Sequence, residues 1–339
     1  MSIRWKSVSA ALAVSVAALG LTACSNSSDD KNEITVYNAQ HESLTKEWVD
    51  EFTKETGIKV TLRQGGDTAL GNQLVAEGAA SPADVFLTEN SPAMALVENA
   101  GLFADVDSKT LDQVPAQFRP STGKWTGIAA RSTVFVYNKD KIAADRLPAS
   151  LLDLAQPQWK GRWGAGVSGA DFQAIVAGLL VLKGEDATKA WLKGMKDNAT
   201  AFPNNVATMK AVNSGQPDGG VIYHYYWYRD QANTKESSNS TALHYFKNQD
   251  PGAFVSVSGG GVLKSSKKQE SAQKFLAFIT SKAGQEILRD GTSLEYPVAS
   301  DVAANPALPP LSSLQAPAVD PSKLDAKKVT ALMTDAGLL

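Results

Sequence analysis

The run Tyr223-His224-Tyr225-Tyr226-Trp227-Tyr228 places four phenols within six residues of a chain that is 8% aromatic. A phenolate oxygen is a hard, anionic donor, and ferric iron is the hard cation that most needs such donors. Two other segments carry compatible groups: Tyr37-Asn38-Ala39-Gln40-His41 and Thr88-Glu89-Asn90. Together the three offer imidazole, carboxylate and two phenolates from distant parts of the chain. Each residue also has a plainer reading. Tyr225 and Tyr226 could pack in a core or stack on a sugar. His41 could merely precede a helix, and Glu89 could cap the helix that Ser91 begins. His224 and His244 read as packing or surface residues.

These groups need elements to position them, and the pattern after Glu33 alternates strand and helix. Ile34 to Tyr37 is a β-branched strand, followed by an amphipathic helix over 41–56 with Leu44, Trp48 and Phe52 on one face and Gly57 as its stop. Ile58 to Leu62 is a second strand, Asp67 can cap a helix carrying Leu70 and Leu74, and Asp84 to Leu87 is a short buried strand. Ser91-Pro92 is a strong helix start, and Gly101 ends that helix. A strand over 133–138 opens a second block, with helices near 171–183, 186–197 and 204–213 and a strand over 219–223. A strand over 253–258 leads to Gly259-Gly260-Gly261, read as a turn near a hinge because it lacks the lysine and spacing of a phosphate loop. Helices over 269–280 and 282–290, a Pro-rich crossing and a last helix near 325–336 complete the pattern. The order implies α/β lobes of mostly parallel sheet covered by helices. The expected boundaries are 33–132 with 259–306 for the first lobe and 133–258 with 307–339 for the second. The ligand cleft falls between them and closes by hinge motion.

In a regular strand Tyr225 and Tyr226 would point to opposite faces. Both reach one ion only if the backbone turns. The strand over 219–223 ends just before the pair, and Trp227 to Asp230 reads as helix, so the pair sits where open α/β sheets place their ligands.

The first residues carry an address. Arg4 and Lys6 precede an apolar stretch from Val8 to Leu21, too short and wrongly flanked for a spanning helix, so residues 1–23 read as a secretory signal. Leu21-Thr22-Ala23-Cys24 resembles a bacterial lipobox, which implies cleavage before Cys24 and its lipidation. Cys24 is the single cysteine, so no internal disulfide is possible, and a thiol consumed by lipid suits an exported chain. Residues 24–32 form a polar tether that keeps the folded part near the outer face of the cytoplasmic membrane. The formal net charge of −2 brings no basic face for nucleic acid. There is no internal repeat, no Gly-x-Ser-x-Gly elbow, no His-Glu-x-x-His and no Asp-rich magnesium motif to suggest a hydrolase.

Taken in order, Ile34-Thr-Val-Tyr-Asn-Ala-Gln-His41, Pro82-Ala-Asp-Val-Phe86, Thr88-Glu89, Trp159-Lys-Gly161, Ser168-Gly-Ala170, Tyr225-Tyr-Trp-Tyr228, Gln249-Asp-Pro-Gly-Ala253 and Glu295-Tyr-Pro297 make the mature chain similar to bacterial periplasmic ferric-ion-binding proteins. These are solute receptors of ABC-type iron importers. The resemblance implies a two-lobed type II periplasmic-binding-protein fold and a monomer that serves a permease and its ATPase. It implies His41 and Glu89 as iron ligands from the first lobe and Tyr225 and Tyr226 from the second. It also implies a synergistic anion, phosphate or carbonate, held by Ser168, Gly169, Ala170 and Asn204. Two departures bear on that anion. Tyr223 stands where phosphate-using relatives have Asn, and Asp171 follows the Ser-Gly-Ala turn. Tyr223 could serve a smaller anion or enter the iron shell, and Asp171 could replace the external anion. Ser168 with Asp171 also matches a capping box, a role compatible with anion binding at the same amides. Arg131 could add positive potential to the cleft or pair with a surface acid.

The implied ligand set is chemically coherent. Fe³⁺ takes about six hard donors; Glu and two Tyr balance its charge, a neutral His adds a fourth donor, and about two positions are left for an anion or water. A trivalent ion favours phenolate over phenol, so uptake must release protons and weaken in acid. A solute receptor of the same shape for a sugar, polyamine or organic anion is the competing reading.

Overall fold

The computed structural model describes residues 32–339. The expected leader, Cys24 and all but the last residue of the tether lie outside the described residues.

The first lobe begins with β1 (Glu33–Asn38), α1 (Glu42–Thr56), β2 (Lys59–Gln64), α2 (Asp67–Glu77), β3 (Val85–Leu87), α3 (Ser91–Asn99) and the short α4 (Ser108–Leu111). The apolar face of α1 behaves as its spacing predicts: Leu44, Trp48 and Phe52 are buried. Each such side chain contributes about 1.5–3 kcal/mol relative to exposure. Gly57 ends the helix at φ 71°, the left-handed conformation that suits glycine. Asp67 does not cap α2. Gly66 is the cap, and the Asp67 carboxylate turns instead toward the strand ends. Likewise Asn90 occupies the cap position of α3, and Ser91 Oγ donates to the Val257 carbonyl.

The chain then crosses on β4 (Thr126–Asn138), longer than the sequence pattern suggests because residues 126–132 lack a clear alternation. The second lobe contains β5 (Trp163–Ala165), α5 (Ala170–Asn198), β6 (Ala199–Ala201), α6 (Asn205–Asn213), β7 (Gly219–Tyr223), α7 (His224–Ala232) and β8 (Thr241–His244). Helix α5 is broken at Gly184, which accounts for the two separate helical patterns in the sequence. The return crossing is β9 (Val255–Val262), followed by α8 (Gln269–Thr280) and α9 (Lys282–Asp290), with α10 (Ala326–Asp335) last.

The strand order is β2-β1-β3-β9-β4-β7-β5-β6, with β8 also on β4. Each side has three parallel strands: β2, β1 and β3 in the first, β6, β5 and β7 in the second. The crossing strands β4 and β9 run antiparallel to their neighbours. Residues 126–132 of β4 pair with β9, whereas residues 133–138 pair with β7 and β8. The pairing partner of β4 therefore changes between Ser132 and Thr133.

Gly259-Gly260-Gly261 is not a turn; all three residues lie within β9. A Cβ there would approach Met94 to 2.3 Å, Leu276 to 2.8 Å and Phe103 to 2.7 Å, respectively. Glycine is required for close packing across the strand, so a run that looks like a breaker in sequence is a strand with large side chains pressed on it.

Separate hydrophobic cores serve the two lobes. Trp48, Phe52 and Phe275 centre one, and Trp163, Phe172 and Trp191 centre the other. A smaller cluster containing Val257 and Tyr296 packs beside the crossing strands.

Candidate metal centre

The tyrosine pair lies in the first turn of α7, directly after β7. Successive residues on a helix are separated by about 100° rather than the 180° of a strand. Both rings can therefore face the same region, and they stack at 4.2 Å between centroids. Tyr225 is wholly buried and Tyr226 half-buried. The His41 ring, at the cap of α1, meets Tyr225 edge-on at 5.1 Å. Nδ1 of His41 lies 3.0 Å from Glu89. The fold thus gathers His41, Glu89, Tyr225 and Tyr226 into one place, from the ends of β1, β3 and β7. Among the described residues no three His, Cys, Asp or Glu side chains form a metal-holding group by themselves, so a hard-donor cluster requires the phenols.

Two atoms in this group are buried without a hydrogen-bond partner: Tyr225 Oη and His41 Nε2. Leaving a buried polar group unpaired costs about 1–3 kcal/mol, so two beside one another call for a ligand.

Asp171, near the N-terminus of α5, occupies the middle of the cleft. Its carboxylate accepts from Asn90 Nδ2 at 2.8 Å, Asn205 Nδ2 at 2.6 Å and Tyr226 Oη at 2.9 Å. The cap of α5 is Gly169 and no side chain caps it, so the expected capping box does not form. Ser168 is exposed and its side chain makes no hydrogen bond among the described residues, whereas Gly169 and Ala170 line a cavity of about 260 Å³ with Asp67, Glu89, Asp171, Asn204 and Tyr226. Asn204 caps α6 by accepting the Ala207 N–H. Helix starts converge here, and their amides favour negative charge. Tyr223 is wholly buried, with its hydroxyl 3.3 Å from both Asn90 Oδ1 and the Asp171 carbonyl.

Arg131 does not reach a surface acid. It is wholly buried on β4, ion-paired to Glu295, with Nη1 3.3 Å from Glu89 and 4.0 Å from Asp171. His224 is buried too: its Nδ1 accepts the Ser132 N–H at 3.1 Å. Burial and the Arg131 charge press its pKa down to about 3, so it stays neutral.

Burial and the Asp171 charge hold the Tyr225 and Tyr226 phenols well above their ordinary range, so both carry protons when the site has no cation. Burial opposes charge on His41, but Glu295 and Glu89 outweigh it and raise the imidazole. Glu89 is lowered, because the His41 hydrogen bond and Arg131 overcome the cost of burial. Burial and Glu89 raise Asp171, and push Asp67 up to about 8.

Asp67, Asn205 and Glu295 are the participants that sequence reasoning missed. Asp67 accepts the Glu89 N–H at 2.9 Å and Asn90 Nδ2 at 3.1 Å, and its position after β2 was the available signal. Glu295 belongs to the Glu295-Tyr-Pro297 stretch that carries the resemblance, but no ligand role followed from it, and Asn205 is a single polar residue without periodicity or motif around it.

A family model described as bacterial extracellular solute-binding protein matches residues 80–322. The Fe(3+)-binding periplasmic protein of Serratia marcescens is 66% identical over 306 residues, covering 90% of each chain. The major ferric iron-binding protein of Neisseria meningitidis serogroup B is 36% identical over 341 residues, covering 99% of each. Among solved structures, iron-bound HitA from Pseudomonas aeruginosa has a TM-score of 0.83 at 42% identity, covering 90% of this chain and 99% of that one.

Proposed function

The chain belongs to the bacterial extracellular solute-binding proteins, and we propose that it is a ferric-iron receptor that closes on Fe³⁺ and delivers it to an ABC importer. The carrying observation is the pair of buried, unpartnered donors, Tyr225 Oη and His41 Nε2, on rings 5.1 Å apart. Tyr226 and Glu89 complete a hard, anionic set suited to a trivalent ion. The chain's part is to supply these donors, yield two phenol protons and exclude water by bringing the lobes together.

In our reading the first lobe comprises 33–132 with 259–306, and the second 133–258 with 307–339. Cys24 carries the lipid that anchors the protein, as a monomer, beside a permease and its ATPase. Its role in this reading is transport and not catalysis, in line with relatives named for ferric-iron binding and for iron uptake. Asp171 fills the seat of the synergistic anion. Its carboxylate already holds Tyr226 and Asn205, and it lines the same cavity as the helix starts whose amides would otherwise attract phosphate or carbonate. Iron binding then depends little on either anion.

A sugar or polyamine is less well served. Tyr225 is covered by His41 and Tyr226 and leaves no exposed ring face on which such a solute could stack. Equilibrium dialysis against ferric nitrilotriacetate, with glucose and spermidine as competitors, separates the readings. Stoichiometric iron retention unaffected by either competitor supports the ferric receptor. Retention of an organic solute without iron overturns it.

A further inference from the structure

Glu295 sits in the segment after α9, where Ala130 and Tyr296 exchange backbone hydrogen bonds of 2.9 and 2.8 Å across to β4. Its side chain is wholly buried. One oxygen accepts from Arg131, and the other lies 3.8 Å from His41 Nε2 with no hydrogen-bond partner. Arg131 is equally buried, and its other nearby carboxylates are Glu89 and Asp171. A guanidinium without a counter-ion of its own would draw both toward itself, because a buried unpaired charge is strongly destabilising. Those two carboxylates are the ones the ferric site uses, Glu89 as a donor and Asp171 as the holder of Tyr226. Arg131 and a trivalent cation would then compete for the same anions.

We propose that Glu295 is a positioning residue for iron capture, which neutralises Arg131 and so keeps Glu89 and Asp171 available to the metal. This rests on the ferric reading above. The neighbouring side chain extends the brace. Tyr296 stacks on His224 at 4.7 Å and 26°, and His224 immediately precedes Tyr225 at the start of α7. His224 is itself pinned by the Ser132 N–H on β4. Residues 295 and 296 therefore hold Arg131 with one side chain and the base of the tyrosine helix with the next.

The test compares wild type with E295Q, E295D and E295Q/R131Q. Each is titrated with ferric nitrilotriacetate, its phenolate-to-iron absorption maximum is recorded, and its iron-free form is melted. Loss of a group that orients metal ligands weakens metal binding roughly 10–100-fold, and that is the expected loss for E295Q, with a shifted absorption maximum. E295D should keep most of the affinity. The double variant removes the guanidinium together with its counter-ion, leaving the net charge of the site unchanged, and should recover most of it, along with the melting temperature that E295Q loses. Wild-type affinity and spectrum in E295Q, or a double variant no better than E295Q, overturns the proposal. Should E295Q not fold, the double variant decides: iron binding within about tenfold of wild type supports the proposal, and lost binding overturns it. A wild-type protein that binds no iron overturns the ferric reading and this inference with it, whereas a binding wild type matched by E295Q overturns this inference alone.

Discussion

Tyr226 donates its phenolic hydrogen bond to Asp171 at 2.9 Å, so a proposed iron ligand and the residue after the Ser-Gly-Ala turn are joined within the site. The carboxylate's other oxygen takes Asn90 from the first lobe at 2.8 Å, so the same group also ties the lobes together.

Asp171→Asn removes this internal anion while keeping its shape. Iron binding by the wild type should be the same with or without phosphate and carbonate. The variant should bind weakly in their absence and recover when either is added. Titration in exhaustively stripped buffer checks both. Wild-type binding that requires restored phosphate would show that Asp171 does not fill the anion seat.

The two tyrosines should differ in their effect on the iron-free protein. Tyr225 Oη has no partner, so Tyr225→Phe should be neutral or stabilising by up to about 1 kcal/mol. Tyr226→Phe loses the bond to Asp171 and should cost about 1 kcal/mol. Urea unfolding of the two iron-free variants measures the difference.

Iron uptake should release protons. Both phenols are held above their ordinary range, so both are protonated at neutral pH before binding. His41, raised by Glu295 and Glu89, adds a further fraction. The logarithm of the affinity should therefore rise by between about two and three per pH unit between about pH 5.5 and 7. Proton release into weakly buffered solution on adding iron gives the same number directly.

Asp67 makes the iron-free protein sensitive to alkali. Its folded pKa of about 8 lies above the ordinary value of 3.8. The folded state therefore holds a proton that the unfolded state has lost, and stability falls as pH rises from about 4 through 8. Asp67→Asn should flatten that decline. Urea midpoints at pH 5 and pH 9 should draw together in the variant.

Much of the site was legible because its chemistry is clustered and unusual. Four phenols in six residues, with His41 and Glu89 at the ends of expected strands, left few cations to consider. The strand-to-helix junction was readable as well, and it explains how adjacent tyrosines share one face. Gly259 to Gly261 was misread because glycine marks both turns and close packing, and only Met94, Leu276 and Phe103 reveal which applies. Ser168 matched a capping pattern, but Asp171 found better partners in Asn90, Asn205 and Tyr226 than in a helix cap. Glu295 was beyond reach as an ion-pair partner, because its bond to Arg131 joins positions 164 residues apart.

The visible spectrum after ferric iron is added to purified protein reads the contact between the metal and the two tyrosines. The wild type should show a phenolate-to-iron charge-transfer band at one iron per chain, lost in the Tyr225→Phe, Tyr226→Phe double variant. A wild type without the band, or a double variant that keeps it, would contradict the assignment of these two residues to the metal.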